Sequence, residues 1–99
     1  MHSDRVGSTD DDLRLPDKKK QEKIYDDLLG IVVARELASP TKVHLESNIV
    51  DDLGMDSLNI YEMVIDIEEI YNIHLTDENL DRVHTVQDFV NLVYTLTQM

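Results

Sequence analysis

The chain contains no cysteine, so neither disulfides nor thiolate chemistry is open to it. No apolar run approaches the roughly 20 residues needed to cross a bilayer. The first residues form no hydrophobic signal segment, and Asp10-Asp11-Asp12 argues against a transit peptide. There is no glycine-rich phosphate loop and no GxSxG elbow. His2, His44, His74 and His84 are scattered, without HExxH or Cys/His ligand spacing. Asp51, Asp52 and Asp56 do not have the spacing of an EF-hand loop. No histidine is placed to activate Ser57, which excludes a serine hydrolase. These absences predict a soluble, cytoplasmic, monomeric chain without a metal site and without enzymatic activity of its own.

Positive charge is missing from one half. The formal net charge is −12 over 99 residues. Residues 1–45 carry 9 acidic and 8 basic side chains, while residues 46–99 carry 12 acidic ones and a single basic one, Arg82. Phosphate binding needs Lys and Arg, so nucleic acid is excluded as a partner, and so is an anionic membrane surface. The charge points instead to proteins with basic patches, met through electrostatic steering. Solubility alone would account for the sign of the charge, but not for its concentration in one half.

Residues 1–16 are polar and aperiodic, carry Gly7 and Pro16, and read as a disordered leader. Residues 17–99 read as one small domain. A first helix is expected from about Asp17 to Leu37, with Ile24, Leu28, Ile31, Val32 and Arg35 on one face and Leu29, Val33 and Leu37 widening it. Ser39-Pro40 should end it, because the residue before proline avoids the helical region. A long loop over 39–55 follows, with Val43, Leu45, Ile49 and Leu53 as expected anchors. The second helix should run from Ser57 to Tyr71 behind an Asp56 N-cap. A short third helix should follow Thr76 and end near Arg82. The fourth should begin at Thr85 in a variant capping box with Asp88, burying Val86, Phe89, Val93 and Leu96. No stretch alternates convincingly as a strand. The expected fold is all-α: an antiparallel four-helix bundle with a long first loop and a short third helix.

The second helix carries the most information. At 100° per residue, Ile60, Met63, Val64, Ile67, Ile70 and Tyr71 form a core sector, with Asn59, Glu62, Asp66 and Glu69 opposite. Leu58, Tyr61 and Ile65 fall in neither group. They form an apolar stripe beside Glu62, Glu68 and Glu69, the composition of a protein-docking surface. Cover by neighbouring loops is the competing reading. Ser57 opens this helix beside unpaired N–H groups and the positive end of the dipole, where a phosphate is stabilised. An ordinary helix-start serine beside an Asp cap would look the same in a lone tripeptide.

The longer run Leu53-Gly54-Met55-Asp56-Ser57-Leu58, followed by NIYEMVIDIEE, resembles the attachment site of acyl carrier proteins. The similarity covers about residues 22–97 and includes Ile73-His74-Leu75-Thr76-Asp77-Glu78 and Val83-His84-Thr85-Val86. It implies 4′-phosphopantetheine joined to Ser57 through a phosphodiester, with Asp56 beside it. It also implies partner contact through Leu58, Tyr61, Glu62, Ile65, Glu68 and Glu69. The partners implied are a phosphopantetheinyl transferase and acyl-transferring and ketosynthase-type enzymes with basic surfaces. Acyl intermediates of fatty-acid or related biosynthesis would be the cargo. A pocket near Ile60, Val64, Ile67, Leu75 and Val83 is expected to take up the acyl chain. Asn59, Tyr61 and Ile70 depart from common residues of fatty-acid carriers, which fits a specialised pathway. The alternative is an unmodified acidic module that docks through the Leu58/Tyr61/Ile65 stripe alone.

Overall fold

The computed structural model describes residues 18–98; the expected leader lies outside them. Among the described residues, four α-helices follow in order: α1 (Lys18–Arg35), α2 (Ser57–Tyr71), α3 (Asp77–Asp81) and α4 (Val86–Thr97), with a 3₁₀ turn at Pro40–Lys42 between α1 and α2. The expected helix order and the short third member are all present. α1 packs against both α2 and α4.

Helix α1 stops sooner than expected. Glu36 adopts a left-handed φ of 56°, and the Leu37 N–H donates to the Val32 carbonyl at 3.0 Å, a hydrogen-bonded C-terminal cap. The stop therefore precedes Pro40, which opens the 3₁₀ turn instead. Ile24, Leu28, Ile31 and Val32 are buried as expected, whereas Arg35 lies outside the core and Val33 is half exposed. Arg35 leaves the apolar face because α2 offers it carboxylates: its Nε donates to Asp66 at 2.6 Å and its Nη2 to the other Asp66 oxygen at 2.9 Å.

The segment between α1 and α2 is ordered by its own polar groups. Ser47, a buried polar residue, donates its hydroxyl to the Lys42 carbonyl at 2.7 Å and accepts from the His44 N–H. Asn48 accepts from the Val50 and Asp51 N–H groups, and Asp52 accepts from the Asn48 N–H. Three backbone bonds then stitch the segment to the start of α4: Ile49 to His84, Val86 to Ser47 and Gln87 to Leu45. Asn48 and Thr85 form an isolated antiparallel bridge. Val43, Ile49 and Leu53 anchor the segment in the core, joined by Met55. Leu45 does not, being 42% exposed.

On α2, Met63, Val64 and Ile67 are buried, and Ile60 and Tyr71 are half-buried. Ile70 was expected in the core and is 50% exposed. It shares the angular direction of Met63, but two turns further on, among the described residues, that side is left half open. Tyr71 instead closes the helix end by donating its hydroxyl to Asp27 of α1. On α4, Val86, Phe89, Val90 and Val93 are buried and Leu96 is half-buried.

The α4 cap makes the fold sensitive to acid. Asp88 accepts from the N–H groups of Thr85 (3.1 Å) and His84 (3.0 Å), and Thr85 accepts from the Asp88 N–H. The Thr85 and His84 N–H groups favour the charged form and hold the Asp88 carboxyl below the usual range. A depressed native pKa contributes stability above the unfolded value, about 3.9 for Asp, and that contribution fades as pH falls through the native value. Asp88→Asn should therefore lower stability at pH 7 and flatten its loss below about pH 4, read from urea unfolding across pH. Equal acid slopes in the two proteins would refute this role.

Candidate functional site

The start of α2 is built by a turn and a cap. Gly54 has a left-handed φ of 69°, which costs glycine little and a β-carbon residue roughly 1–2 kcal/mol. Its N–H donates to the Val50 carbonyl, and the Met55 N–H donates to the Ile49 carbonyl. Met55, 1% exposed, drives the turn into the core, so the next residue emerges at the surface. Asp56 then caps α2. Its carboxylate accepts from the Asn59 N–H at 2.8 Å, and the Asn59 amide oxygen accepts from the Asp56 N–H at 3.2 Å. Asn59 thus completes a capping box in which the shorter Asn amide takes the place of the usual Glu or Gln. Loss of the cap in Asp56→Ala should cost about 1 kcal/mol, measured by urea unfolding; an unchanged midpoint would show the cap to be idle.

Ser57 is the first residue of α2 and is exposed. Among the described residues, nothing hydrogen-bonds its hydroxyl, and nothing accepts from the N–H groups of Ser57 and Leu58. The Asn59 and Ile60 N–H groups are both taken by Asp56. A free hydroxyl therefore lies beside two free donors at the positive end of a 15-residue helix.

Beyond Ser57, Leu58 and Tyr61 stand out at 64% and 62% exposure, while Ile65 is half-buried. The carboxylates beside them differ in availability. Glu62 lies 3.7 Å from Arg35 Nη1. Glu68 accepts from the Leu75 N–H at 2.7 Å and lies 3.4 Å from His74 Nδ1. Asp66 is held ionised by Arg35, whose hydrogen bonds keep its carboxyl below the usual range. Glu69 is exposed, with no hydrogen bond or ion pair among the described residues. Helix periodicity could not separate these four acids, because the partners of Glu62, Asp66 and Glu68 lie outside α2.

A half-enclosed apolar cavity of about 50 Å³ lies behind α2. Val50, Ile60, Leu80 and Val83 border it, with Met63 and Phe89 deeper. The expected pocket residues Ile60 and Val83 meet there. Val64, Ile67 and Leu75 do not line it; they are packed into the core. Phe89 was legible as a core residue, but its place beside Ile60 depends on how α4 meets α2. A larger open groove of about 590 Å³ runs along the first half of α1, residues 44–46 and the start of α4. No residue of α2 lines it, so it lies apart from Ser57. Among the described residues, no cluster of His, Cys, Asp and Glu could hold a metal ion, and no helix is long and apolar enough to cross a membrane.

Comparison with known proteins places most of the described residues in one family. The family described as "Phosphopantetheine attachment site" matches residues 26–93. A protein named "Acyl carrier protein" from Wolinella succinogenes is 40% identical over 72 residues, covering 73% of this chain and 95% of the relative. One of the same name from Clostridium acetobutylicum is 36% identical over 80 residues, covering 81% and 95%. Another, from Campylobacter concisus, is 34% identical over 73 residues, covering 74% and 95%.

Proposed function

The chain belongs to the phosphopantetheine-attachment family that includes the acyl carrier proteins, and we propose that Ser57 is its attachment residue. It is a carrier and not an enzyme, and its prosthetic group is covalently bound 4′-phosphopantetheine. When bound, that group supplies a thiol on which acyl groups are held as thioesters. The residues present suit it. Ser57 offers an unengaged, exposed hydroxyl, the free N–H groups of Ser57 and Leu58 suit a phosphate, and the capping box holds the helix start rigid. The observation that carries the assignment is this exposed hydroxyl on the first residue of a capped helix, inside the matched stretch.

The carrier role brings the chain to a phosphopantetheinyl transferase and to biosynthetic enzymes. Those partners, in our reading, are acyl-transferring and ketosynthase-type enzymes with basic surfaces, and the chain meets them as a cytoplasmic monomer. Leu58 and Tyr61 offer apolar contact next to Ser57. Glu69 is exposed and, among the described residues, makes no hydrogen bond or ion pair, whereas Glu62 and Glu68 already have partners within the fold. Exposed charges steer encounter and are screened by salt.

Incubation with coenzyme A and a broad-specificity phosphopantetheinyl transferase tests the assignment by intact mass. A gain of one phosphopantetheinyl group is expected, located on the peptide that contains Ser57. Gain on another peptide would overturn Ser57, and no gain with several transferases would return the chain to an unmodified interaction module.

A further inference from the structure

The last turn of α1 sets a cation against the acidic side of α2. Between Lys23 and Arg35 the chain carries no Lys or Arg, so Arg35 stands about 18 Å along the helix from the basic start of α1. It holds Asp66 through two hydrogen bonds, 2.6 Å from Nε and 2.9 Å from Nη2. Its Nη1 lies 3.7 Å from Glu62, too far for a hydrogen bond. Asp66, Glu62 and Glu69 all favour its charged form, so Glu69 also lies within its field. At 100° per residue, Asp66, Glu62 and Glu69 follow one another around α2 from the side that meets Arg35 to the side of Leu58 and Tyr61. Glu62 and Asp66 stand about 8 and 14 Å along the axis beyond Ser57. A partner that reaches Ser57 over this helix therefore feels Arg35 as well as the acids.

We propose that Arg35 is a specificity-determining residue, a cation of the chain's own that opposes basic partners and divides the acids of α2 between the fold and the partner. This rests on the carrier reading above. The guanidinium fork fits the Asp66 carboxylate with two bonds, and exchanging it for a partner's Lys would lose that fit. Glu62 gives up only a loose, exposed ion pair, which is worth little, and Glu69 gives up no bond. Glu62 and Glu69 are thus the acids left to a partner's cations, while Asp66 stays with the fold. The opposition from Arg35 grows with each cation that a partner presents. It therefore favours partners that seat the exposed Leu58 and Tyr61 over partners that bind by charge alone.

The test is the rate at which a broad-specificity phosphopantetheinyl transferase of basic surface loads the chain from coenzyme A, followed by intact mass at rising salt. One unit charge acting across about 10 Å of water is worth a factor of about two for each partner cation. Arg35→Gln should therefore raise kcat/KM by roughly two- to eightfold for one to three such cations, through KM with kcat unchanged, at about 0.01 M salt. The gain should fade toward unity near 0.15 M, where the Debye length is about 8 Å. Arg35→Lys keeps the charge without the fork and should load as the wild type does. Lys19→Gln removes an exposed cation about 24 Å away along α1 and should change the rate little. No loading of any of these proteins would overturn the carrier reading and this inference with it. Where the wild type loads, a rate for folded Arg35→Gln equal to or below it would overturn the inference alone. So would a gain that persists at high salt, or an equal gain in Lys19→Gln or Arg35→Lys. Urea unfolding shows whether Arg35→Gln is folded. If it is not, Ala34→Lys decides, since it adds a cation at the exposed neighbouring position: slower loading at low salt is expected, and an unchanged or faster rate would overturn the inference.

Discussion

Replacing Ser57 by alanine should abolish phosphopantetheine loading outright while leaving the fold intact. The hydroxyl of Ser57 makes no hydrogen bond among the described residues, so its removal strands no partner. Alanine is a good helix former at any position of the first turn, and the cap on α2 belongs to Asp56 and Asn59. A surface change of this kind moves stability by no more than about 0.5 kcal/mol. The other described serines cannot stand in. Ser47 is buried, with its oxygen both donating and accepting, and the Ser39 hydroxyl is paired with that of Thr41. Intact mass and a thermal melt on the same sample check both halves of the result. Loading retained in a folded Ser57→Ala protein would refute the assignment, whereas a lowered melting temperature would mean that the hydroxyl has a structural role.

Phe89→Ala should have the largest effect on stability. Phe89 is 0% exposed, at the meeting of α4 with Ile60 and Met63 of α2. Deleting a buried aromatic ring loses its transfer free energy and leaves a void that the backbone fills only in part. The cost is about 3–5 kcal/mol, out of the roughly 5–15 kcal/mol that hold a domain together. A loss of that size lowers the melting temperature of so small a domain by tens of degrees. Leu58→Ala is the matched control, because a side chain 64% exposed contributes within about 0.5 kcal/mol. Urea unfolding of both proteins gives the comparison. A Phe89→Ala cost under about 1 kcal/mol would mean that the interior collapses freely around the site, against the close packing expected of it.

Two kinds of residue separate what could be read from the chain from what could not. Asp56, Thr76 and Thr85 were legible as helix starts because a cap bonds to a group three residues away, and each makes that bond here. Ser57 was legible as an exposed helix-start residue for the same reason: its surroundings are the turn before it and the helix after it. Arg35 and Ile70 were misplaced because periodicity reports direction around a helix and not what stands there. Arg35 finds Asp66, 31 positions away, and leaves the core; Ile70 points toward the core sector yet is 50% exposed, while Tyr71 beside it packs against the core. Met55 and Ser47 carried no periodic signal, since they lie in an irregular segment held by bonds within itself and to the start of α4.

The sequence by itself determined the helices, their caps, the acidic second half and the serine at the start of α2. All of these follow from bonds and charges among residues a few positions apart. Tertiary structure alone decided which acids on α2 are paired within the fold, and that Leu58 and Tyr61 stay exposed while Ile65 is partly covered. It also set the cavity at about 50 Å³. Volume and availability depend on side chains brought together from distant parts of the chain, and a gap between packed elements has no signature along any one of them.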